Sequence, residues 1–183
     1  MKNIKQLNIE LKNHLEETAE QLVKDLVQII DDKKADDLED RTEAEIRAFY
    51  FEYQYDYLDI TAWATDKSGN SITNPVLLPT QRKQGIGEED KWSALLPEKI
   101  WKEASDFQEK YEDEDDFDDF WDEYNEEKYK LFEDWFCKCW KKASGQTGYR
   151  KDAYFSIHDT YFKTDLNTLQ TINDDEIAER YTS

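Results

Sequence analysis

Between Phe117 and Ala143, large apolar side chains return every three or four positions: Phe117, Phe120, Trp121, Tyr124, Leu131, Phe132, Trp135, Cys139 and Ala143, with Lys128 in the same phase. An α-helix puts residues of that spacing on one face, so the stretch predicts a long helix whose inward stripe is built mostly from rings. Gly145 and Gly148 supply its stop. Such a stripe needs an apolar surface to lie against. Phe49, Phe51, Tyr53 and Tyr55 alternate in one run and Leu58, Ile60, Ala62 and Ala64 in the next. That period of two predicts a pair of strands joined as a hairpin near Tyr55-Asp56-Tyr57.

Other segments fill in the architecture. Ile4, Leu7, Leu11, Leu15, Ala19, Leu22, Leu26 and Ile30 mark an amphipathic N-terminal helix, which the charged run from Asp31 to Asp37 interrupts, so that the chain either leaves the helix there or restarts a short one near Leu38. Residues 67–91 hold Pro75, Pro79, Gly85 and Gly87 and read as loop. Pro97 opens a helix through Ile100, Trp101, Ala104, Phe107 and Tyr111. Ala153 to Ile157 reads as a third strand and Asp174 to Tyr181 as a short helix. The expected fold class is α+β: a small antiparallel sheet with a central aromatic hairpin, covered on one face by long amphipathic helices. At 183 residues the chain has the length of one domain, 1–183.

Six tryptophans, eleven tyrosines and nine phenylalanines argue against disorder, because each ring removes roughly 150–250 Å² from water. The charge is unusual. Forty-four acids against 24 lysines and arginines leave −20, well beyond the magnitude of about 2–8 that keeps a small domain soluble. This excludes nucleic acid and anionic membrane as natural partners, since binding them would set phosphate against carboxylate. A basic protein is the partner that the charge fits. The N-terminal residues lack a signal-peptide apolar core, and no window reaches the roughly 18 apolar residues of a membrane span. The chain therefore reads as cytoplasmic.

Motifs for chemistry are weak. His158-Asp159 resembles half of a metal site, but the other histidine, His14, lies on a distant predicted helix. Cys137 and Cys139 would point about 200° apart on a helix, which disfavours a disulfide or a shared metal. A Cys–His nucleophile with His158 would need an exposed, activated thiolate, whereas Cys139 falls on the apolar stripe. Asp113, Asp115 and Asp116 lack the glycine and spacing of a calcium loop. Gly85 and Gly87 lack the Lys-Ser/Thr of a phosphate cradle. Carboxylate pairs carry no information in so acidic a chain. The expectation is no enzyme, no cofactor and no metal.

One charge run has geometry. Eleven acids and no base lie between Glu112 and Glu127. If helical throughout, the run spans about 24 Å with one negative charge per roughly 2.2 Å, close to the one per about 1.7 Å of duplex DNA. Its rings turn to one side, leaving Asp115, Asp118, Asp119, Asp122, Glu123 and Glu126 as candidate partner-binding residues. The bland alternative is a solvated face that keeps the chain soluble.

The amphipathic N-terminal helix, the strand Ala48-Phe49-Tyr50-Phe51-Glu52-Tyr53, the helix around Trp135-Phe136-Cys137-Lys138-Cys139-Trp140 and the run Tyr154-Phe155-Ser156-Ile157-His158-Asp159 together resemble the small acidic immunity proteins of bacterial polymorphic-toxin systems. The resemblance implies an inhibitor that binds a co-produced toxin, such as a nuclease, and covers its basic surface. Two other readings stand beside it: a DNA mimic that occupies a DNA-binding protein, and an enzyme of unknown class.

Overall fold

The computed structural model describes residues 4–31, 46–79 and 94–181. The stretch near Leu38, where the helix either ends or restarts, and the loop containing Gly85 and Gly87 lie outside them. The elements run α1 (Lys5–Asp31), β1 (Ala48–Tyr53), β2 (Ile60–Thr65), β3 (Val76–Leu78), α2 (Glu98–Tyr111), α3 (Phe117–Thr147), β4 (Asp152–Ile157), β5 (Phe162–Asp165), β6 (Gln170–Asn173) and α4 (Asp174–Tyr181). The fold is α+β.

The sheet departs from the expectation of a small antiparallel one. It has six strands in the order β3-β2-β1-β4-β5-β6, and β1 and β4 run parallel, with Ala48 opposite Asp152 and Tyr53 opposite Ile157. The other pairs are antiparallel. Return to β4 through α2 and α3 makes the parallel pair topologically natural, because a parallel partner needs a long crossover. Three strands escape the sequence pattern. β3 is a three-residue edge, and in the β5–β6 hairpin the buried inward positions include the polar residues Lys163 and Asp165.

Alternation along β1 sends Phe49, Phe51 and Tyr53 to one face, where α3 covers them. Phe51 lies 5.3 Å from Phe136 and 5.2 Å from Trp140, Tyr53 meets Phe132 edge-on at 5.0 Å, and Phe136 stacks on Phe155 of β4 at 4.0 Å. The Tyr53 hydroxyl donates to Glu133 Oε1 at 2.7 Å, so this buried ring keeps its polar end satisfied. α1 buries Leu7, Leu11, Leu15, Leu22 and Leu26 and lies beside α3. Contacts between the two helices climb in step, from Lys5 with Glu123, through Asn8 with Glu127, to Ala19 with Cys139 and Glu20 with Lys142, so the helices run parallel.

The opposite face is partly covered by α4. Asn173 Oδ1 accepts from the Glu176 N–H and Glu176 Oε2 from the Asn173 N–H, both at 2.9 Å, a reciprocal cap on α4. Arg180 donates to the buried Asp165 at 2.8 Å, and the Tyr181 hydroxyl bonds Asp152 and Tyr154 at 3.0 and 2.7 Å.

α3 ends where Gly148 takes a left-handed φ of 70° and its N–H bonds the Ser144 carbonyl. An added Cβ there meets nothing within 4 Å, so Gly148→Ala tests backbone conformation alone. We expect a loss of about 1 kcal/mol in urea unfolding, whereas Gly145→Ala, inside the helix, should stabilise slightly.

Candidate protein-binding surface

α2 and α3 are joined by residues 112–116, which turn instead of continuing a helix. This corrects the picture of one straight acidic rod. Asp115 lies in the turn, while Asp118, Asp119, Asp122, Glu123 and Glu126 follow on α3. The break has a local cause: Glu112 caps α2 through its N–H to the Gln108 carbonyl, and the Phe117 N–H bonds Glu114, so the chain reverses over five acids. The DNA-like charge spacing therefore does not run unbroken through the stretch.

All six candidate carboxylates are exposed. On the 100° helical period, Asp118, Asp119, Asp122, Glu123 and Glu126 share one arc of α3. Glu123 differs from the rest, because its Oε1 pairs with Lys5 Nζ at 2.7 Å and ties α1 to α3. The same hydrogen bond raises the Lys5 pKa, with burial opposing it more weakly. Among the described residues, no hydrogen bond or ion pair engages the side chains of Asp115, Asp118, Asp119, Asp122 or Glu126. Asp118 and Asp119 occupy the first helical turn, where the helix dipole favours anions by about 0.3–1 kcal/mol each at low salt. Asp122 and Glu126 lie beyond that help.

The rings divide further than their spacing implied. Phe117 and Tyr124 are buried and Trp121 is half-buried, but Phe120 is 52% exposed. Phe120 lies one period from Asp116 and Glu123 and next to Asp119, so an apolar ring stands beside the acidic arc. Spacing alone did not separate it, since all four rings fall within one arc of about 100° and Phe120 is distinguished only by lying at one edge of that arc.

The Cys–His pairing does not assemble. Cys137 and Cys139 sit on α3, against one face of the sheet, whereas His158 bonds Glu52 at 3.1 Å, and Glu52 alternates to the other face. Burial pushes the Cys137 thiol up to about 11 and the Cys139 thiol to about 12, so neither is a thiolate at neutral pH. Among the described residues, no three His, Cys, Asp or Glu side chains are grouped to hold a metal ion, and no helix is long and apolar enough to cross a membrane.

No protein-family model, curated protein or solved structure matches this chain.

Proposed function

We propose that this chain is a non-enzymatic acidic binding protein that neutralises a basic partner, a bacterial toxin domain of nuclease type, by covering the surface with which that partner would grip nucleic acid. The observation that carries the reading is the arc of unpaired carboxylates on α3 with the exposed Phe120 beside it. Carboxylates aligned on a rigid helix steer a basic protein into encounter, raising association from the neutral 10⁵–10⁶ toward roughly 10⁸ M⁻¹s⁻¹ at low salt. An apolar ring next to that arc then supplies contact area that slows dissociation. The resemblance to acidic immunity proteins points the same way.

A photo-crosslinking residue placed at Asp122 should capture a basic protein, and one placed at Tyr161 on the far side of the sheet should not. With that partner purified, the triple variant Asp119→Asn, Asp122→Asn, Glu126→Gln should slow association about 10–100-fold at low salt and flatten its salt dependence. Phe120→Ala should instead raise the dissociation rate. Association unchanged in the triple variant sinks the role of this face. Competition by duplex DNA together with a partner that lacks toxicity would favour the DNA-mimic alternative.

A further inference from the structure

Beside the β1–β2 turn, a cavity of about 510 Å³ opens between that turn, α2 and α3. Rings contribute from all three sides, Tyr55 and Tyr57 from the turn, Trp101 from α2, Trp121 and Tyr129 from α3, with polar side chains of α2 and α3 between them. The turn is closed by its own backbone. The Leu58 N–H bonds the Gln54 carbonyl, and Leu58 takes a left-handed φ of 59° to drop its side chain into the core, which leaves Tyr55 and Tyr57 projecting. Tyr57 lies 5.6 Å from Trp101, and Trp121 lies 5.5 Å from the buried Tyr124.

Lys128 lines the same cavity although it is only 7% exposed. Its Nζ lies 4.6 Å from the Tyr129 ring and 5.5 Å from that of Tyr124. Among the described residues, no hydrogen bond or ion pair reaches it. Ring faces offset part of the charge, but an ammonium has three donors and the rings give none of them a strong acceptor. The stem is buried, while Nζ is not among the fully buried unpartnered atoms and so is open to the cavity, where an incoming oxygen can accept from it in partly desolvated surroundings.

We propose that this cavity binds a small aromatic monocarboxylate, with its ring laid against Tyr57, Trp101 and Trp121 and its carboxylate accepting hydrogen bonds from Lys128 Nζ. The volume lies within the roughly 300–1,000 Å³ of small-molecule sites. Its exposed lining is more polar than apolar, so the rings supply faces for a flat ligand and the polar groups between them suit one that carries a charged end. A single negative charge fits better than two, because Asp56 also lines the cavity and the chain carries a net charge of −20. This selects carboxylates over phosphates.

Lys128 is mostly cationic at neutral pH, since burial lowers its pKa to about 8 and Asp56 opposes this only in part. The other titratable groups facing it are Tyr55 and Tyr57 from the turn and Tyr124 and Tyr129 from α3, while α2 presents Ser105 and Gln108, which do not titrate. Burial holds Tyr124 and Tyr129 above their ordinary value, so they stay neutral in the range where Lys128 loses its proton.

Titration calorimetry on the full chain tests the assignment with 2-naphthoate, 2-naphthamide and 2-naphthyl phosphate. At pH 7 the carboxylate should bind with Kd below about 1 mM, and the amide and the phosphate about tenfold or more weakly. Lys128→Met should cost the carboxylate about tenfold while leaving the amide unchanged. Raising the pH to 9 should do the same to the unsubstituted protein. Tyr57→Ala, at an exposed ring, should weaken carboxylate and amide alike. Equal affinity for carboxylate and amide, affinity unmoved in Lys128→Met, preference for the phosphate, or no binding of any probe overturns the proposal.

Discussion

Phe136→Ala should cost about 3–5 kcal/mol of stability, the largest loss we expect from a single substitution in this chain. Phe136 is fully buried, stacks on Phe155 at 4.0 Å with an interplanar angle of 17°, and lies 5.3 Å from Phe51. It therefore joins α3 to β4 and β1, the two strands of the parallel pair. Alanine removes the burial of a ring, leaves a cavity that rigid neighbours cannot refill, and deletes two aromatic pairs worth about 0.5–1.5 kcal/mol each. Phe120→Ala on the same helix is the internal control, since half of that ring already meets solvent. Its cost should stay within about 0.5 kcal/mol. Urea unfolding checks both through the midpoint at constant slope, and equal losses at the two positions would refute the assignment of faces on α3.

Lys128→Met should have the opposite sign at pH 7, stabilising the chain by about 1–2 kcal/mol. The fall of the Lys128 pKa from 10.5 to about 8 is equivalent to about 3 kcal/mol against the charged form. Loss of attraction to the faces of Tyr124 and Tyr129 returns part of that. The pH dependence identifies the cause. Below about pH 8 both folded and unfolded chains carry the proton, so the full cost of burying the charge is present. Between about 8 and 10.5 the unfolded chain binds more protons than the folded one, and the unsubstituted protein gains stability as the pH rises. The advantage of Lys128→Met should therefore shrink steadily across that window. Buried thiols and tyrosines also titrate on unfolding there, but they do so in both proteins and drop out of the difference. An advantage independent of pH would mean that packing, not charge, sets the effect.

Much of this was legible in the residues. Ring spacing located α3, alternation located β1 and β2, and Asp174 to Tyr181 formed the helix its pattern predicted. β5 and β6 were hidden because their buried positions include Lys163 and Asp165, satisfied by Asp174 and Arg180 from α4, partners that no local window displays. The parallel sense of β1 and β4 was hidden too, since alternation fixes which face a residue takes and not which way its neighbour runs. In the candidate surface, the unpaired carboxylates were found by charge alone, but the turn at 112–116 and the Lys5–Glu123 pair depend on how α1, α2 and α3 meet. The Lys128 cavity did leave a trace: a lysine in phase with an otherwise apolar stripe.

The parallel pairing of β1 with β4, together with α1 alongside α3, has a consequence for biosynthesis. A ribosome delivers α1 and the β1–β2 hairpin long before the segments that cover them. Until α3 and β4 emerge, the leucine stripe of α1 and the rings of Phe49, Phe51 and Tyr53 have no lid, and one edge of β1 stands open. Folding that depends on such distant partners is slow and exposes sticky intermediates to the cell. Through that wait a net charge of −20 makes neighbouring copies repel one another.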